Sequence, residues 1–209
     1  QTNPPFILEH LDAVAAALNH PNVFSFLHVP VQSGSNPVLT AMNREYTVED
    51  FVTVCDHLLR NVPGVNISTD IICGFPGETE EQWQETMALM RKYRLTSTHI
   101  SQFYPRPGTP AAAMKQHLGS VKKARSRELS ELVNSYNPFP ALVGTTVKVW
   151  VGAETSGPHT VCHTKNYTKV LVPLDDSLVG CSAMVHVEAC SRWHVTGRVV
   201  GKPTLPGTV

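Results

Sequence analysis

The stretch that decides the fold is Ser68–Trp83, which reads STDIICGFPGETEEQW. It predicts a buried strand over Asn66–Cys73, a glycine-rich turn, and a helix that begins after Thr79. Thr79 is the expected N-cap, because Gln82 follows three residues later as the second half of a capping box. α/β proteins place their ligands at strand–turn–helix junctions of this kind, although an ordinary tight loop has the same pattern.

The same alternation of strands and helices extends in both directions from this stretch. Helices separated by short strands predict parallel βαβ units. The predicted helices are Pro5–Asn19, Thr47–Asn61, Thr79–Arg94 and Ser120–Tyr136, and the predicted strands are Val23–Val31, Asn66–Cys73 and Thr98–Tyr104.

The pattern changes after Pro138, where short alternating segments replace the helices. Several short strands within about 60 residues are typical of a small β-barrel. The predicted strands are Thr145–Val151, Thr168–Pro173, Ala183–Ala189 and His194–Val200. The sequence therefore predicts two domains, residues 1–137 and 138–203, followed by a tail at 204–209.

Three further segments carry a family resemblance. They are TNPPFILEHL (Thr2–Leu11), FLHVPVQSGSNPVLTAMNREYTVEDF (Phe26–Phe51) and SQFYPRPGTPAAAM (Ser101–Met114). With Ser68–Trp83, they resemble the second half of the radical S-adenosylmethionine (SAM) domain of tRNA methylthiotransferases, above all the branch acting on N6-threonylcarbamoyladenosine. HTKNYTKVLVP (His163–Pro173) is similar to the TRAM domain, an RNA-binding module. The expected fold class is α/β: the second half of a radical SAM partial (β/α) barrel, followed by a small all-β TRAM-like barrel.

The five cysteines do not form the cluster signature that this resemblance implies. They lie at 55, 73, 162, 181 and 190, so the C-x3-C-x2-C triplet of radical SAM enzymes is absent from the chain. Cluster sites need closely grouped thiolates. We therefore expect the chain to be the C-terminal portion of a larger enzyme, inactive alone because its cluster ligands lie elsewhere. A degenerate homologue that lost its cluster is the alternative.

The resemblance implies a function for the parent enzyme. It would bind SAM and two 4Fe-4S clusters, generate a 5′-deoxyadenosyl radical, and methylthiolate C2 of N6-threonylcarbamoyladenosine at tRNA position 37. An isopentenyladenosine-specific tRNA methylthiotransferase is the closest alternative, and a ribosomal-protein methylthiotransferase is a weaker one. A non-catalytic RNA-binding module is the alternative of a different class.

SAM needs an apolar slot, partners for its ribose, and a cation for its carboxylate. The predicted strand ends offer these groups, and Arg44 is the expected cation because guanidinium pairs bidentately with carboxylate. Asp70, Ile72 and Gly74 alternate along one strand and are expected to share a face. The predicted SAM-binding residues are Gln32, Ser33, Arg44, Asp70, Ile72, Gly74 and Tyr104. Alternatively, Arg44 pairs with Glu45 or Asp50, and Asp70 braces a loop.

The second domain is expected to bind tRNA, chiefly through its phosphates. Residues 1–114 carry six Lys and Arg against eleven Asp and Glu, and residues 115–209 carry the reverse, eleven against six. A basic half suggests a polyanionic partner, although chance produces such imbalances. The predicted tRNA-binding residues are Lys148, Lys165, Asn166, Tyr167 and Lys169, with solvated lysines on a structural barrel as the alternative.

Composition and cysteine spacing limit the expected membrane segments, cellular compartment and metal sites. The apolar runs are far below the roughly 20 residues that span a bilayer, so no membrane segment is expected within this chain. Few, unevenly spaced cysteines favour a reducing compartment, hence the cytoplasm, or the cytosolic face of the endoplasmic reticulum if a tail anchor follows. Cys55 and Cys73 are expected in the core. A metal site around His159, Cys162 and His163 and a catalytic role for His28 are disfavoured.

Overall fold

A computed structural model describes residues 2–205, so the predicted tail lies outside the described residues from 206 onward. The chain divides into two compact units. The first comprises Gln1–Ala17 and Leu27–Tyr136, and the second comprises Leu18–Phe26 and Asn137–Val209. The sequence-based division at 137/138 placed residues 18–26 in the first domain, whereas their contacts group them with the second unit.

The first unit is built on a parallel sheet with the order β1-β2-β3. Its helices precede or connect the strands, as the βαβ prediction required. The strands are β1 (Phe26–His28), β2 (Asn66–Cys73) and β3 (Ser97–Gln102). The helices are α1 (Pro4–Ile7), α2 (Leu11–Asn19), α3 (Asn36–Ala41), α4 (Val48–Asn61), α5 (Glu80–Tyr93), α6 (Pro110–Ala113) and α7 (Gly119–Asn134).

Capping boxes fix the starts of the two helices on either side of β2. Thr47 caps α4 with Asp50, and Thr79 caps α5 with Gln82, each pair bonded in both directions. Both helix starts had been predicted from the sequence, that of α5 from its capping box, and each box satisfies two otherwise unpaired backbone donors. Trp83 on α5 is fully buried, which anchors the helix that follows the glycine turn.

Several elements of the first unit differ from their prediction. The first helix is interrupted at Leu8–His10, a 3-10 turn, because Ile7 leaves helical geometry. The strand predicted at Val23–Val31 shortens to β1, since Pro30 cannot donate a ladder bond and the Ser25 N–H bonds to the Lys165 carbonyl instead. Helix α3 was not predicted, although Pro37 stands in its first turn, where proline is favoured.

The second unit contains a closed barrel with the order β4-β5-β6-β8-β7. Valine dominates its core, with Val149, Val170, Val185, Val187 and Val195 fully buried. The strands are β4 (Thr146–Ser156), β5 (His159–Thr164), β6 (Lys169–Pro173), β7 (Ser182–Cys190) and β8 (Val195–Thr204). Strand β5 was not predicted from the sequence.

None of the helices described between residues 2 and 205 is both long and apolar enough to cross a bilayer.

Candidate functional site

A cleft of about 910 Å³ lies at the carboxyl ends of the three parallel strands in the first unit. This is the edge at which parallel sheets present ligands. Its walls mix aromatic, cationic and hydrogen-bonding side chains. They include His28, Gln32, Met42, Arg44, Asp70, Ile72, Phe75, His99, Phe103, Tyr104 and Arg106.

Five of the predicted SAM-binding residues line this cleft: Gln32, Arg44, Asp70, Ile72 and Tyr104. Gln32 has a φ of 70°, and its backbone is bonded on both sides to β2, at Asp70 and Ile72. A non-glycine residue held at positive φ is a strained conformation of the kind that clusters at ligand sites. Tyr104 is 77% exposed and stands at the rim.

Arg44 enters the cleft from the end of α3. Asn43 adopts a left-handed conformation with a φ of 56°, and the Arg44 N–H then donates to the Leu39 carbonyl. Among residues 2–205, Arg44 forms no ion pair with Glu45 or Asp50, and its buried Nε has no hydrogen-bond partner. A half-buried guanidinium with an unpaired donor is suited to an anionic ligand.

Ser33 does not reach the cleft, contrary to its prediction. It is fully buried, and its hydroxyl lies 3.3 Å from the Thr86 hydroxyl on α5. The Gly34 N–H donates to the same Thr86 oxygen. Ser33 therefore bonds the loop after β1 to helix α5. Because φ is positive at Gln32, the chain turns there and the Ser33 side chain points away from the cleft.

Gly74 is also absent from the cleft lining. It lies just beyond β2 with a φ of 76°, so the alternation shared by Asp70 and Ile72 ends before it. A Cβ built there would lie 2.6 Å from Lys122 Cγ on α7. This glycine allows a left-handed turn beneath a helix, and its predicted approach to adenine stays a prediction.

A buried ion pair braces the glycine turn. Glu78 Oε2 accepts from Arg125 Nη1 at 2.6 Å and from the Gly74 N–H at 3.1 Å. Arg125 also donates to the Glu78 and Thr79 carbonyls, and both charged side chains are almost completely buried. Burial raises the pKa of Glu78, while Arg125 and the Gly74 N–H oppose the rise. The Glu78–Arg125 pair was not predicted from the sequence.

His28, Asp70 and His99 converge within the cleft. His28 Nε2 lies 2.7 Å from Asp70 Oδ1, and the rings of His28 and His99 are 5.6 Å apart between centroids. His99 was not singled out from the sequence, because its register against Asp70 becomes visible only once β2 and β3 are paired. Alternation along β3 was the one available signal that it shares a face with Ser101.

The cysteines do not fit an iron–sulfur cluster. Four of the five are buried, and burial raises the pKa of Cys55 and of Cys73 to about 12, so both stay protonated. Within the described part of the chain, the sole grouping of three potential metal ligands contains no cysteine. Cys55 and Cys73 are core residues, as predicted.

In the second unit, an aromatic cluster surrounds the predicted residue Tyr167. Tyr167 stacks on His163 with centroids 4.1 Å apart, and Phe24 contacts its edge at 5.0 Å. Phe24 also meets the Trp150 ring edge-on at 5.7 Å. The exposed Lys148 places its ammonium 5.4 Å from the Trp150 centroid. Together these residues present a basic and aromatic surface.

Lys165, predicted to supply charge for tRNA, and Asn166, predicted to offer a polar surface, both use polar atoms for contacts within the chain. The Lys165 ammonium donates to three backbone carbonyls, those of Leu18, His20 and Val23. Asn166 Oδ1 accepts from the hydroxyls of Thr164 and Thr168. Both residues hold loops together. Lys169 is partly exposed and pairs with Glu154 at 3.3 Å.

The basic excess is also distributed differently from its prediction. Five of the eleven cations of residues 115–209 fall at 115–136, against two acidic residues, and therefore belong to the first unit. Much of the asymmetry is thus carried by α7 and the residues before it. Charge supports a nucleic-acid interface on the second unit less than the sequence had indicated.

We expect the second unit to lose stability in mild acid because of His163. Burial lowers its pKa from 6.5, so the unfolded chain binds the proton more readily than the folded one. Stability should therefore fall as the pH drops below about 6.5. Hydrogen exchange of barrel amides at pH 7.5 and 5.5 measures this, and His163→Phe should flatten the difference. An equal response in that variant would exclude His163.

Comparisons with known proteins relate part of the first unit to a known superfamily. Residues 1–90 match the model of the Radical SAM superfamily. In solved structures, the chain resembles the radical SAM enzyme coproporphyrinogen III oxidase from Escherichia coli. The TM-score is 0.54 at 15% identity, over 88% of this chain and 45% of that one, which supports the fold alone.

Curated relatives match nearly the whole chain. The threonylcarbamoyladenosine tRNA methylthiotransferase of Danio rerio is 50% identical over 98% of this chain and 38% of its own length, and that of Homo sapiens is 47% identical over 95% and 34%. A probable one from Pyrococcus abyssi is 38% identical over 95% and 47%. The chain thus spans about a third to a half of these relatives. The chain is homologous to part of the threonylcarbamoyladenosine tRNA methylthiotransferases, and its residues 1–90 are similar to the Radical SAM superfamily.

Proposed function

We propose that the protein containing this chain methylthiolates N6-threonylcarbamoyladenosine at tRNA position 37. The observation that carries the proposal is the similarity of the chain, at 38–50% identity over 94–98% of its length, to proteins bearing that name. Isopentenyladenosine or a ribosomal protein as the substrate remain the alternatives, and the retained cleft argues against a module that only binds RNA.

The cleft suits SAM in its size and in its chemical groups. A volume of about 910 Å³ falls in the range of small-molecule sites, and Ile72 with Phe75 provides an apolar wall for the adenine. Gln32 and Asp70 offer hydrogen-bond partners for the ribose or the amino group. Arg44 supplies the charge for the carboxylate. The residues present thus fit the cofactor.

When SAM is bound beside a reduced 4Fe-4S cluster, it supplies a 5′-deoxyadenosyl radical. This chain contributes the walls that hold and orient SAM and the modified adenosine. Its cysteines do not fit a cluster, so we assign the two clusters to protein outside these residues. On this view the 209-residue chain alone does not catalyse the reaction.

We propose further that the barrel of the second unit is a TRAM-like domain that docks tRNA. Its basic and aromatic surface, with Lys148 over Trp150 beside Tyr167 and Phe24, supports this role. Aromatic faces stack on unpaired bases, and lysines bind phosphates with little regard to sequence. The surface, rather than the net charge of the unit, is therefore the reason for the assignment.

Deleting the gene and analysing tRNA nucleosides by mass spectrometry tests the substrate. We expect the methylthio form of N6-threonylcarbamoyladenosine to disappear, the unmodified form to accumulate, and methylthiolated isopentenyladenosine to stay unchanged. Re-expression of the intact gene is the control. Loss of the isopentenyl product instead would favour the alternative enzyme, and an unchanged nucleoside profile would contradict the proposal.

Two lysines of the second unit should respond differently to substitution. Lys148→Ala should weaken the binding of all tRNAs about equally and reduce the salt dependence, with the melting temperature unchanged. Lys165→Met should instead cost about 1.5–3 kcal/mol of stability, because three carbonyls lose a charged donor. Filter binding at several salt concentrations and thermal unfolding separate the effects. Unaltered binding by the Lys148 variant would remove this residue from the interface.

A further inference from the structure

We propose that His28, Asp70 and His99 form a binding site for a divalent transition-metal ion at the inner end of the cleft. One ligand atom from each side chain, an imidazole nitrogen or a carboxylate oxygen, lies within 4.8 Å of the other two. The inference concerns an ion separate from any cluster, gives Asp70 the role of a metal ligand in place of the hydrogen bond to SAM considered above, and stands without the proposed function.

The three side chains come from three neighbouring parallel strands, which gives the site a rigid scaffold. Asp70 and His99 are direct register partners on β2 and β3. His28 ends β1, and the next residue, Val29, donates its N–H to the Ser68 carbonyl of β2. Sites built on strands hold their geometry better than sites built on loops. The ligand positions are thus set by backbone hydrogen bonds.

The donor set selects the class of ion. Two imidazole nitrogens and one carboxylate oxygen are borderline ligands that suit Zn²⁺ and its neighbours rather than Mg²⁺ or Ca²⁺. His28 Nε2 and Asp70 Oδ1 are 2.7 Å apart, a hydrogen-bond distance. Around a tetrahedral zinc ion such atoms lie roughly 3.3 Å apart. The His28–Asp70 pair would therefore open slightly as the metal replaces the shared proton, and side-chain rotation would close separations that reach up to 4.8 Å.

The arrangement leaves a coordination position free toward the cleft. His99 is exposed, His28 and Asp70 are half-buried, and all three line the cavity. Three protein ligands with one open position is the pattern of metal sites that bind water or a small ligand, whereas structural sites are closed by four protein ligands. The ion would therefore present its free position to whatever occupies the cleft.

Cobalt provides the direct probe, because Co²⁺ in a low-symmetry nitrogen and oxygen site has visible ligand-field absorption. The chain, treated with chelator, should bind one equivalent of Co²⁺ without thiolate charge-transfer bands, and Zn²⁺ should displace it. His28→Ala, His99→Phe and Asp70→Asn should each lower the affinity more than about 100-fold, since even the loss of an outer-shell partner costs 10–100-fold. Asp70→Asn keeps a hydrogen-bond acceptor that can orient the His28 ring. A loss of affinity in this variant therefore reflects the missing carboxylate ligand and not a misplaced ring.

His57→Ala is the matched control. His57 lies 3.2 Å from the carboxylate of Asp12, but among residues 2–205 it belongs to no grouping of three potential ligands. This variant should bind Co²⁺ like the parent. Circular dichroism verifies the fold, and His99→Phe remains decisive if His28→Ala unfolds, because His99 is exposed. If the parent shows no saturable binding of Co²⁺, or if the His99 and Asp70 variants bind Co²⁺ as tightly as the parent, then His28 and Asp70 form only a hydrogen-bonded pair.

Discussion

Arg125→Met is expected to lower the free energy of unfolding of the first unit by about 3–5 kcal/mol, because it leaves the Glu78 carboxylate buried without a counterion. The variant also removes donors from the Glu78 and Thr79 carbonyls at the start of α5. Chemical denaturation followed by circular dichroism measures the loss. Replacing both partners, with Glu78→Gln added, should restore part of the stability, since the stranded charge is then gone.

The pH dependence of the stability lost in Arg125→Met tests whether the buried charge of Glu78 is its cause. The pKa of Glu78 is higher in the folded chain than its ordinary value of 4.5, so the stability that this group contributes falls as the pH rises. Removing Arg125 raises that pKa further. The destabilisation should therefore be smallest near pH 4.5 and grow toward neutral pH.

Arg127→Met supplies the control for this series. Arg127 lies on the same helix, but it is largely exposed and faces Glu131 at 3.8 Å. Exposed pairs of this kind contribute about 0.3–0.5 kcal/mol. A similar loss in both variants would mean that the helix, and not the buried charge, determines the effect.

Arg44→Ala should weaken SAM binding about ten- to a hundredfold, in keeping with the 1.5–3 kcal/mol of a charge-assisted hydrogen bond. The reason is the position of its guanidinium, which lines the cleft with an unpaired buried Nε. Isothermal titration on the full-length protein with its clusters reconstituted measures the affinity. Arg44→Lys should recover only part of it, because an ammonium cannot pair bidentately.

Arg60→Ala is the companion variant, since Arg60 is exposed in the last turn of α4 and does not line the cleft. It should bind SAM like the parent. If Arg44→Ala also binds like the parent while retaining its fold, the guanidinium serves the loop after α3 and the carboxylate of SAM is held elsewhere.

Local signals predicted much of the fold. The capping residues Thr47 and Thr79 marked two helix starts, and the apolar run before Gly74 marked the strand that ends at the cleft. The length of β1 depended on a non-local contact instead. The carbonyl of Lys165, about 140 residues away, accepts the Ser25 N–H that a longer β1 would have used.

The sequence correctly predicted which residues line the cleft where strand alternation holds, and it failed where that alternation breaks. Asp70 and Ile72 face the cleft because β2 is regular there. Ser33 follows Gln32, whose φ is positive, and Gly74 has a positive φ itself, so the chain changes direction at both places in a manner that a period of two cannot reveal. The register between β2 and β3 brings His99 beside Asp70. Neither strand sequence alone indicates this register, because it arises only when the strands pair.

The attachment of residues 18–26 to the barrel has a consequence for synthesis on the ribosome. Phe24 is translated about 140 residues before Tyr167, the ring that it contacts. At 5–20 residues per second, this segment waits roughly 7–30 s for its partners. Val23, Phe24 and Phe26 are without those barrel contacts during that interval, so early binding by a chaperone would favour correct assembly. Expression of residues 137–209 alone would leave Trp150 and Tyr167 without Phe24.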